Sequence, residues 1–320
     1  MEYSCIGRAS HKISRLGFGC APMSGYDYGK IDEADLTRAV RRALDLGINF
    51  FDTADIYGLG RAEELLSTAL GRDRRRVFIA TKFGLRRDSQ NRIRKDCSAA
   101  NVLQSVDESL RRLRIDTIAL YQIHWPDPGT PIRETMQALL QCQTAGKIRH
   151  IGCSNFGIES IQEAEQWGTI DSTQHSYNLL DRSVEENILP FCRDHRIAFL
   201  AHSPLARGFL TGKYKIGHCF GESDTRNRSI FFAEENRRAK ERLLERMKNI
   251  ATQYNKSLTQ VALRWILENP MVSCAIVGVK GVKQLEENAA SVEWVIAPAD
   301  RTRLSSRSTD PAEDNILERR

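Results

Sequence analysis

Four side chains capable of acid–base chemistry lie near the ends of three successive β-rich runs in the first half of the chain. They are an aspartate, a tyrosine, a lysine and a histidine: Asp52, Tyr57, Lys82 and His124. A tyrosine phenol has a reference pKa of about 10, so it is a poor proton donor at neutral pH. A lysine ammonium about 4 Å away lowers that pKa by at most about three units, at an effective dielectric constant of about 20. We therefore expect Tyr57 to protonate an alkoxide, or to take a proton from an alcohol.

The other three residues have supporting roles in this scheme. A carboxylate at Asp52 fixes the Lys82 ammonium and keeps it charged, and His124 orients the reacting oxygen by hydrogen bonding. Each residue alone also fits a structural role, because aspartates cap helices and lone histidines are commonly structural. Four of them at successive strand ends favour a shared catalytic site. An aldolase that forms a Schiff base on Lys82 is the competing enzyme class, which pairing of the lysine with Asp52 disfavours.

The elements that carry these residues follow a regular alternation. Short β-rich runs recur along the chain, and amphipathic stretches of helical length follow them. The β-rich runs cover residues 15–20, 48–53, 77–81, 118–124, 148–154, 170–175, 197–202 and 274–277. The helical stretches cover residues 33–46, 62–70, 99–113, 132–145, 158–167 and 185–194. This pattern predicts an α/β fold, a closed (β/α)8 TIM barrel, with function at the carboxyl ends of its strands.

A doubly wound sheet is the alternative architecture for such an alternation. It usually carries the sequence G-x-G-x-x-G after its first strand. The first run here continues as GFGCAP at residues 17–22, which lacks the third glycine. The proline also removes a backbone N–H that would face a phosphate. The sequence therefore favours the barrel, as a single domain of residues 1–320.

Three segments fall outside the repeat. Residues 3–13 have the pattern of a small β-hairpin around Gly7, placed to plug the bottom of the barrel. After the seventh β-rich run, residues 205–268 form a long insertion that is polar at first and then helical. Insertions of this length above the carboxyl face are usually functional or disordered. Residues 298–320 are polar and punctuated by proline, so we expect a loosely ordered tail.

Composition and charge argue against several classes of protein. The 320 residues include 28% charged side chains and carry a formal net charge of +6, with the basic residues in short clusters. No aromatic side chains or helices that could recognise nucleic acid accompany these clusters, so we expect no nucleic-acid partner. No run reaches the ~18 apolar residues of a membrane span, and we expect no secretory signal. The eight cysteines match no zinc spacing, which favours reduced thiols in a cytoplasmic protein without a metal site.

Seven short motifs stand out along the chain: FFDTADIYG at 50–58, EE at 63–64, IATK at 79–82, IHWP at 123–126, IGCSNF at 151–156, SPLARG at 203–208 and QLEEN at 284–288. Together they resemble the motifs of the aldo-keto reductases. The resemblance spans residues 10–295 and is closest to the bacterial branch with short loops, near inositol-utilisation and general-stress reductases and potassium-channel β-subunits. The resemblance implies a catalytic tetrad with Tyr57 as general acid, and a small-molecule carbonyl or alcohol as substrate. The tetrad consists of Asp52, Tyr57, Lys82 and His124.

The same resemblance implies that NADP(H) lies extended across the barrel mouth. Ser154, Asn155 and Gln174 are expected to hold the carboxamide of the nicotinamide. The pyrophosphate is expected along residues 203–208, and the adenosine with its 2′-phosphate near Lys280. The full set of expected cofactor contacts is Ser154, Asn155, Gln174, His202, Ser203, Leu205, Arg207, Gly208, Lys213, Arg226, Gly278, Lys280, Gln284, Glu287 and Asn288.

One position departs from the family pattern. The residue that packs on the nicotinamide ring is usually aromatic, often tyrosine or tryptophan, and His202 holds that position here with less contact area. A histidine that only forms hydrogen bonds within its loop is the other interpretation. Rim residues expected near the substrate are Met23, Tyr26 and Trp125.

The direction of the reaction is left open, because the tetrad serves both directions. Reduction of an aldehyde or ketone, including a sugar or polyol derivative, is the favoured function. A dehydrogenase that mainly oxidises a sugar or polyol is the first competitor. A regulatory protein that only binds the cofactor is the second, and the intact tetrad disfavours it.

Overall fold

The structure is a computed structural model that describes residues 1–8, 11–25, 28–88, 90, 92–222 and 224–306. The strands are β1 (Tyr3–Cys5), β2 (Lys12–Ser14), β3 (Leu16–Gly19), β4 (Phe50–Asp52), β5 (Phe78–Phe83), β6 (Leu85–Arg87), β7 (Ile93–Lys95), β8 (Ile118–Ile123), β9 (Ile148–Ser154), β10 (Ser172–Ser176), β11 (Ala198–His202) and β12 (Val272–Gly278). The α-helices are α1 (Glu33–Asp45), α2 (Arg61–Leu70), α3 (Ala99–Leu113), α4 (Ile132–Thr144), α5 (Ile158–Glu165), α6 (Ile188–His195), α7 (Arg237–Tyr254), α8 (Leu258–Leu267), α9 (Val282–Ala289) and α10 (Pro298–Ser305).

Eight parallel strands close into a barrel in the order β3-β4-β5-β8-β9-β10-β11-β12, with β12 paired to β3. Each β-rich run predicted from the sequence overlaps one of these strands, so the (β/α)8 TIM barrel is confirmed. Parallel neighbours require crossover connections, and helices supply them here. In the register, Asp52 lies opposite Ala80, and Lys82 lies opposite Gln122. Asp52 and Lys82 therefore come from the carboxyl ends of adjacent strands.

The bottom of the barrel is sealed by the N-terminal hairpin. Strands β1 and β2 pair antiparallel, as predicted for residues 3–13. Ile6 and Ile13 are fully buried in one apolar cluster with inward-facing barrel residues such as Phe50 and Leu200. Gly7 has a φ of +52°, and a Cβ there would lie 2.4 Å from the carbonyl oxygen of Asp171, so glycine is required at this turn.

Capping residues explain where several helices begin. The Asp32 side chain accepts hydrogen bonds from the first turn of α1, and Ser98 does the same for α3. Ser257 and Gln260 form a reciprocal capping box at the start of α8. These side chains satisfy backbone N–H groups that a helix leaves without partners. The helices are thereby placed to cover the outside of the barrel.

The insertion after the seventh barrel strand is confirmed, and helix α7 is its main element. Its polar first part is held by aromatic packing, in which Phe232 contacts both Phe209 and Phe220 edge-to-face. The buried ammonium of Lys240 donates hydrogen bonds of 2.8 Å to the carbonyl oxygens of Ile230 and Ala233. These contacts fix the insertion beside the barrel mouth. None of the described helices is both long and apolar enough to cross a membrane.

Three features differ from the sequence predictions. Strands β6 and β7 form an antiparallel hairpin that was not predicted, because its charged, exposed residues hide the alternation. Helix α6 begins at Ile188, three residues after the predicted start at residue 185, because Asn187 caps it.

The expected loose tail is the third difference. Helix α10 orders Pro298–Ser305, with Leu304 buried and the Trp265 indole donating to Ser305 Oγ over 2.8 Å. The prediction of a loosely ordered tail is therefore wrong for residues 298–305. The remainder of that tail, residues 307–320, lies outside the described residues.

Candidate active site

A cleft of about 600 Å³ opens among the carboxyl ends of the barrel strands. Every residue expected to contact the cofactor lines it. These residues are Ser154, Asn155, Gln174, His202, Ser203, Leu205, Arg207, Gly208, Lys213, Arg226, Gly278, Lys280, Gln284, Glu287 and Asn288. Asp52, Tyr57 and His124 of the tetrad also line the cleft, whereas Lys82 lies buried behind them. Residues distant in sequence thus meet in one site.

Asp52 and Lys82 form a buried ion pair beneath this cleft. Lys82 Nζ donates to Asp52 Oδ1 over 2.6 Å and to the carbonyl oxygen of Thr53 over 2.9 Å. The other oxygen, Asp52 Oδ2, accepts from Gln174 Nε2 over 2.8 Å and from Gln122 Nε2 over 3.4 Å. Burial alone would lower the pKa of the lysine, but Asp52 and the nearby tyrosine outweigh it, and the pKa of Lys82 is raised. Lys82 is therefore a fixed ammonium at neutral pH.

Tyr57 is held above this pair by the loop that follows β4. The backbone N–H of Asp55 donates to the carbonyl oxygen of Lys82 over 3.3 Å, and that of Tyr57 donates to Ala54 over 3.2 Å. Gly58 has a φ of +59°, and a Cβ there would lie 2.6 Å from the Cβ of Ser24, so glycine closes this turn. The loop leaves Lys82 Nζ 5.2 Å from the centroid of the tyrosine ring.

The protonation of Tyr57 differs from the sequence expectation. Burial raises its pKa to about 12, although the Lys82 ammonium acts in the opposite direction. The expected net lowering of the tyrosine pKa by lysine is therefore wrong, because removal of the phenol from water has the larger effect. Tyr57 is fully protonated at neutral pH, which is the state that a proton donor needs.

His124 completes the tetrad as a neutral imidazole. Its ring is perpendicular to that of Tyr57, with 5.9 Å between centroids. Burial, Lys82 and His202 together hold the pKa of His124 well below its ordinary value. Its Nδ1 is buried and has no hydrogen-bond partner among the described residues. A neutral ring with an unused buried nitrogen suits a group kept for a ligand.

His202 lies on the cleft wall. Its Nδ1 is 3.1 Å from Ser203 Oγ, and its Nε2 is 3.4 Å from Asn155 Oδ1. Asn155 also donates to the carbonyl oxygen of His124 over 3.1 Å and has a φ of +62°, which asparagine tolerates better than most residues. The ring of His202 is thus oriented by hydrogen bonds and also lines the cleft.

Cationic side chains gather around the insertion. Lys280 Nζ donates to the carbonyl oxygen of Tyr28, and burial together with Arg226 lowers the pKa of Lys280. Arg226 forms a two-pronged pair with Asp224, with distances of 2.9 Å and 2.6 Å, and its guanidinium lies 4.0 Å from the centroid of Phe220. Part of the Arg226 charge is therefore already neutralised, which the sequence did not reveal.

These cations show what the cleft can hold. Arg207, Lys213, Arg226 and Lys280 all line it. Glu287, on helix α9, also lines it and accepts from Ser257 Oγ over 2.7 Å. A cleft with four cations suits a polyanionic nucleotide. The described residues contain no cluster of three or more potential metal ligands.

The three residues expected to contact the substrate have different outcomes in the structure. Trp125 lines the cleft next to His124. Met23 is 1% exposed in the core, because the helical turn Ala21–Ser24 directs it inward, so its expected substrate contact does not agree with its position. Tyr26 lies outside the described residues.

Several further residues line the cleft that sequence reasoning did not assign to the cofactor: Thr211, Tyr214, Thr225 and Thr259. Tyr214 and Thr225 directly follow or precede the predicted cations Lys213 and Arg226. That adjacency is the signal in the sequence that could have identified Tyr214 and Thr225.

Comparison with known proteins gives a consistent result. The model of the Aldo/keto reductase family matches residues 15–307. The chain is 36% identical over 320 residues to aldo-keto reductase YhdN of Bacillus subtilis (strain 168), covering 97% of this chain and 96% of that protein. It is 32% identical over 312 residues to the NADH-specific methylglyoxal reductase of Escherichia coli (strain K12), covering 93% and 95%. The solved structure of glycerol dehydrogenase AKR11B4 from Gluconobacter oxydans matches with a TM-score of 0.86 at 32% identity, covering 94% and 93%.

Proposed function

This chain belongs to the aldo-keto reductase family, and from that premise we propose that it uses NADP(H) to reduce an aldehyde or ketone of a small molecule, with Tyr57 as general acid. Members of the family are oxidoreductases that act on carbonyl or alcohol compounds with nicotinamide cofactors. The cofactor preference, the direction of the reaction and the role of Tyr57 are the parts that belong to the proposal.

The convergence of Tyr57, Lys82 and His124 at the cleft is the observation that carries the proposal. When bound, a nicotinamide cofactor supplies the hydride or accepts it. Tyr57, protonated at neutral pH, gives its phenol proton to the carbonyl oxygen as negative charge develops there. The Lys82 ammonium, fixed by Asp52, stabilises the phenolate that remains. His124, held neutral, donates an N–H to the same oxygen and orients it.

The residues around the insertion support the choice of NADP(H). Lys280 and Arg226 are both in the cleft, and a 2′-phosphate is the feature that separates NADP(H) from NAD(H). The methylglyoxal reductase of E. coli, which is similar over most of its length, is NADH-specific, so family membership alone does not decide the cofactor. The proposal therefore depends on the cations of this chain.

Oxidation of a polyol is the second candidate. The similarity to glycerol dehydrogenase of Gluconobacter oxydans, at a TM-score of 0.86, favours it. In that direction Tyr57 must first lose its own proton, and the phenolate, stabilised by the Lys82 ammonium, then receives the proton of the alcohol, while His124 orients the alcohol oxygen.

A two-way substrate screen tests the proposal. The purified protein is given aldehydes, ketones, sugars and polyols with reduced and oxidised NADP and NAD, and nicotinamide absorbance reports turnover in both directions. We expect carbonyl reduction with NADPH that the variant Tyr57→Phe lacks. Faster turnover of polyols than of every carbonyl at neutral pH would favour the second candidate, and equal turnover by Tyr57→Phe would exclude the assigned acid.

A further inference from the structure

The β6–β7 hairpin has no role in the scheme above, although it lies beside the cleft. It follows β5 directly, the strand that provides Lys82. Within the hairpin Lys95 lies opposite Leu85, at the end that joins the barrel. Lys95 Nζ lies 5.6 Å from the ring centroid of Trp125, and Trp125 lines the cleft next to His124. An exposed ammonium is therefore placed against a wall of the substrate region.

The charge of this hairpin is strongly biased. Residues 85–96 contain five basic and two acidic side chains. Asp88 forms ion pairs with Arg92 at 3.0 Å and with Arg94 at 2.9 Å. Asp96 forms an ion pair with Arg86 at 3.5 Å. Both carboxylates are thus used by arginines, and none of the described ion pairs of the hairpin includes Lys95.

Asp127, on the loop after Trp125, is the acidic group that acts on Lys95 from the neighbouring element. Its two oxygens accept hydrogen bonds from the backbone N–H groups of Cys97 and Gly129, both over 2.9 Å. The hydroxyl of Thr130 donates to it over 2.8 Å. These bonds hold Asp127 to its own loop and to Cys97, which follows the hairpin, and Asp127 forms no ion pair with Lys95 among the described residues.

We propose that the substrate of this site is an anionic carbonyl compound, whose negative group lies beyond the reacting carbonyl and is recognised by Lys95 beside Trp125. This inference rests on the proposed reductase function and names its substrate class. The indole of Trp125 gives an apolar wall for the spacer between the two groups, and the ammonium provides the charge at its edge. Because the contact is remote from the reacting carbon, it is made equally before and in the transition state. It therefore changes KM and leaves kcat nearly constant.

Two isosteric aldehydes provide the test. 4-Formylbenzoate is anionic at neutral pH, and 4-formylbenzamide has the same shape without the charge; the 3-formyl isomers vary the position of the anion. We expect kcat/KM to favour the anion by roughly 2- to 5-fold at low ionic strength, the range for an exposed ion pair. The preference should appear as a lower KM for the anion, and it should decrease as added salt screens the charge.

Variants at Lys95 assign the preference to this residue. Lys95→Met should remove it while the amide is reduced as before, Lys95→Arg should keep it, and Lys95→Glu should reverse it. Lys256→Met is the matched control, because Lys256 Nζ also lies over a tryptophan, 5.8 Å from the centroid of Trp294, and Trp294, unlike Trp125, does not line the cleft.

The outcomes separate this inference from the function on which it rests. Turnover of both aldehydes with equal kcat/KM for each isomer pair, or an anion preference that survives in Lys95→Met, would overturn the substrate class and leave the reductase function intact. An equal loss of preference in Lys256→Met would assign the effect to overall charge and would also overturn it. Turnover of neither aldehyde, nor of any compound in the two-way screen, would contradict the reductase function and this inference together.

Discussion

The side-chain amide of Gln174 donates a hydrogen bond to Asp52 Oδ2 over 2.8 Å, on the oxygen opposite the one that holds Lys82. A residue expected to bind the nicotinamide carboxamide is thus connected directly to the buried ion pair of Asp52 and Lys82. Gln122 donates to the same oxygen over 3.4 Å from deeper in the barrel and does not line the cleft. The two glutamines therefore share one partner but differ in access to a ligand.

This difference gives the first prediction. Gln174→Leu should weaken binding of the nicotinamide cofactor by about 2- to 12-fold, the equivalent of one net hydrogen bond of roughly 0.5–1.5 kcal/mol. Gln122→Leu, the matched control, should bind the cofactor as the wild type does, since its amide donates to Asp52 and lies outside the cleft lining. Fluorescence titration with NADPH measures both constants. Equal weakening in the two variants would show that Gln174 acts through Asp52 and not through the cofactor.

Tyr57 gives the second prediction. Tyr57→Phe should retain cofactor binding and lose turnover by about 10²–10⁴-fold, the usual contribution of general acid catalysis. Tyr214→Phe is the control, because Tyr214 also lines the cleft but lies in the insertion, among Phe220 and Phe232. Steady-state rates of carbonyl reduction provide the measurement. Comparable losses in both variants would mean that the phenol of Tyr57 has no special role.

The pKa of Tyr57 can be examined separately. Burial raises it to about 12, so the phenol should remain protonated as pH passes the ordinary tyrosine value of about 10. Ultraviolet titration of tyrosinate in the cofactor-free protein, with Tyr57→Phe subtracted, should show one group that ionises only at strongly alkaline pH. A group that ionises near neutral pH would restore the original expectation that Lys82 dominates.

The buried ion pair gives the third prediction. Lys82→Met leaves the Asp52 carboxylate buried without its counter-ion and should lower the free energy of unfolding by about 3–5 kcal/mol. The double variant Asp52→Leu with Lys82→Met should recover most of this loss, because it buries no charge. Urea unfolding measures the three proteins. A double variant less stable than Lys82→Met would contradict the account of an uncompensated charge.

The pH dependence of that loss has a defined sign. The pKa of Lys82 is raised in the folded protein, so the lysine contributes its full stability below the unfolded value of about 10.4. The contribution is lost as pH rises through the folded pKa. The difference between wild type and Lys82→Met should therefore stay constant across neutral pH and decrease only in strong alkali.

Much of this architecture could be predicted from sequence because a barrel determines where strand ends meet. Once Asp52, Lys82 and His124 were assigned to the ends of successive strands, their convergence followed from the fold. The pKa of Tyr57 could not be predicted, since it depends on how far its loop withdraws the phenol from water. The inward position of Met23 depends on a single helical turn, and the pairing of Arg226 with Asp224 depends on side-chain conformations two residues apart.

Cofactor choice gives the fourth prediction. Lys280→Met should weaken the binding of NADPH by roughly 10- to 150-fold and leave the binding of NADH nearly unchanged, since a charge-assisted contact contributes about 1.5–3 kcal/mol. The ammonium already donates to the carbonyl oxygen of Tyr28, so the lower part of this range is expected. Lys283→Met is the control, because Lys283 lies three residues after Lys280, on helix α9, exposed and outside the cleft lining. An equal loss of affinity for the two cofactors in titrations would show that Lys280 does not bind the 2′-phosphate.

The departure at His202 gives the last prediction. We expect its ring to lie against the nicotinamide, where a tyrosine would offer more contact area and would not become charged. A histidine cation, formed below its reference pKa of about 6.5, would oppose the positive ring of the oxidised cofactor. His202→Tyr should therefore tighten binding of oxidised cofactor most at acidic pH, when affinities are measured at about pH 5.5 and about pH 8, on either side of that value. His195→Tyr, on the surface beside Glu165, is the control. If the wild type and His202→Tyr give the same ratio of affinities at the two pH values, the stacking role of His202, or at least its titration, is wrong.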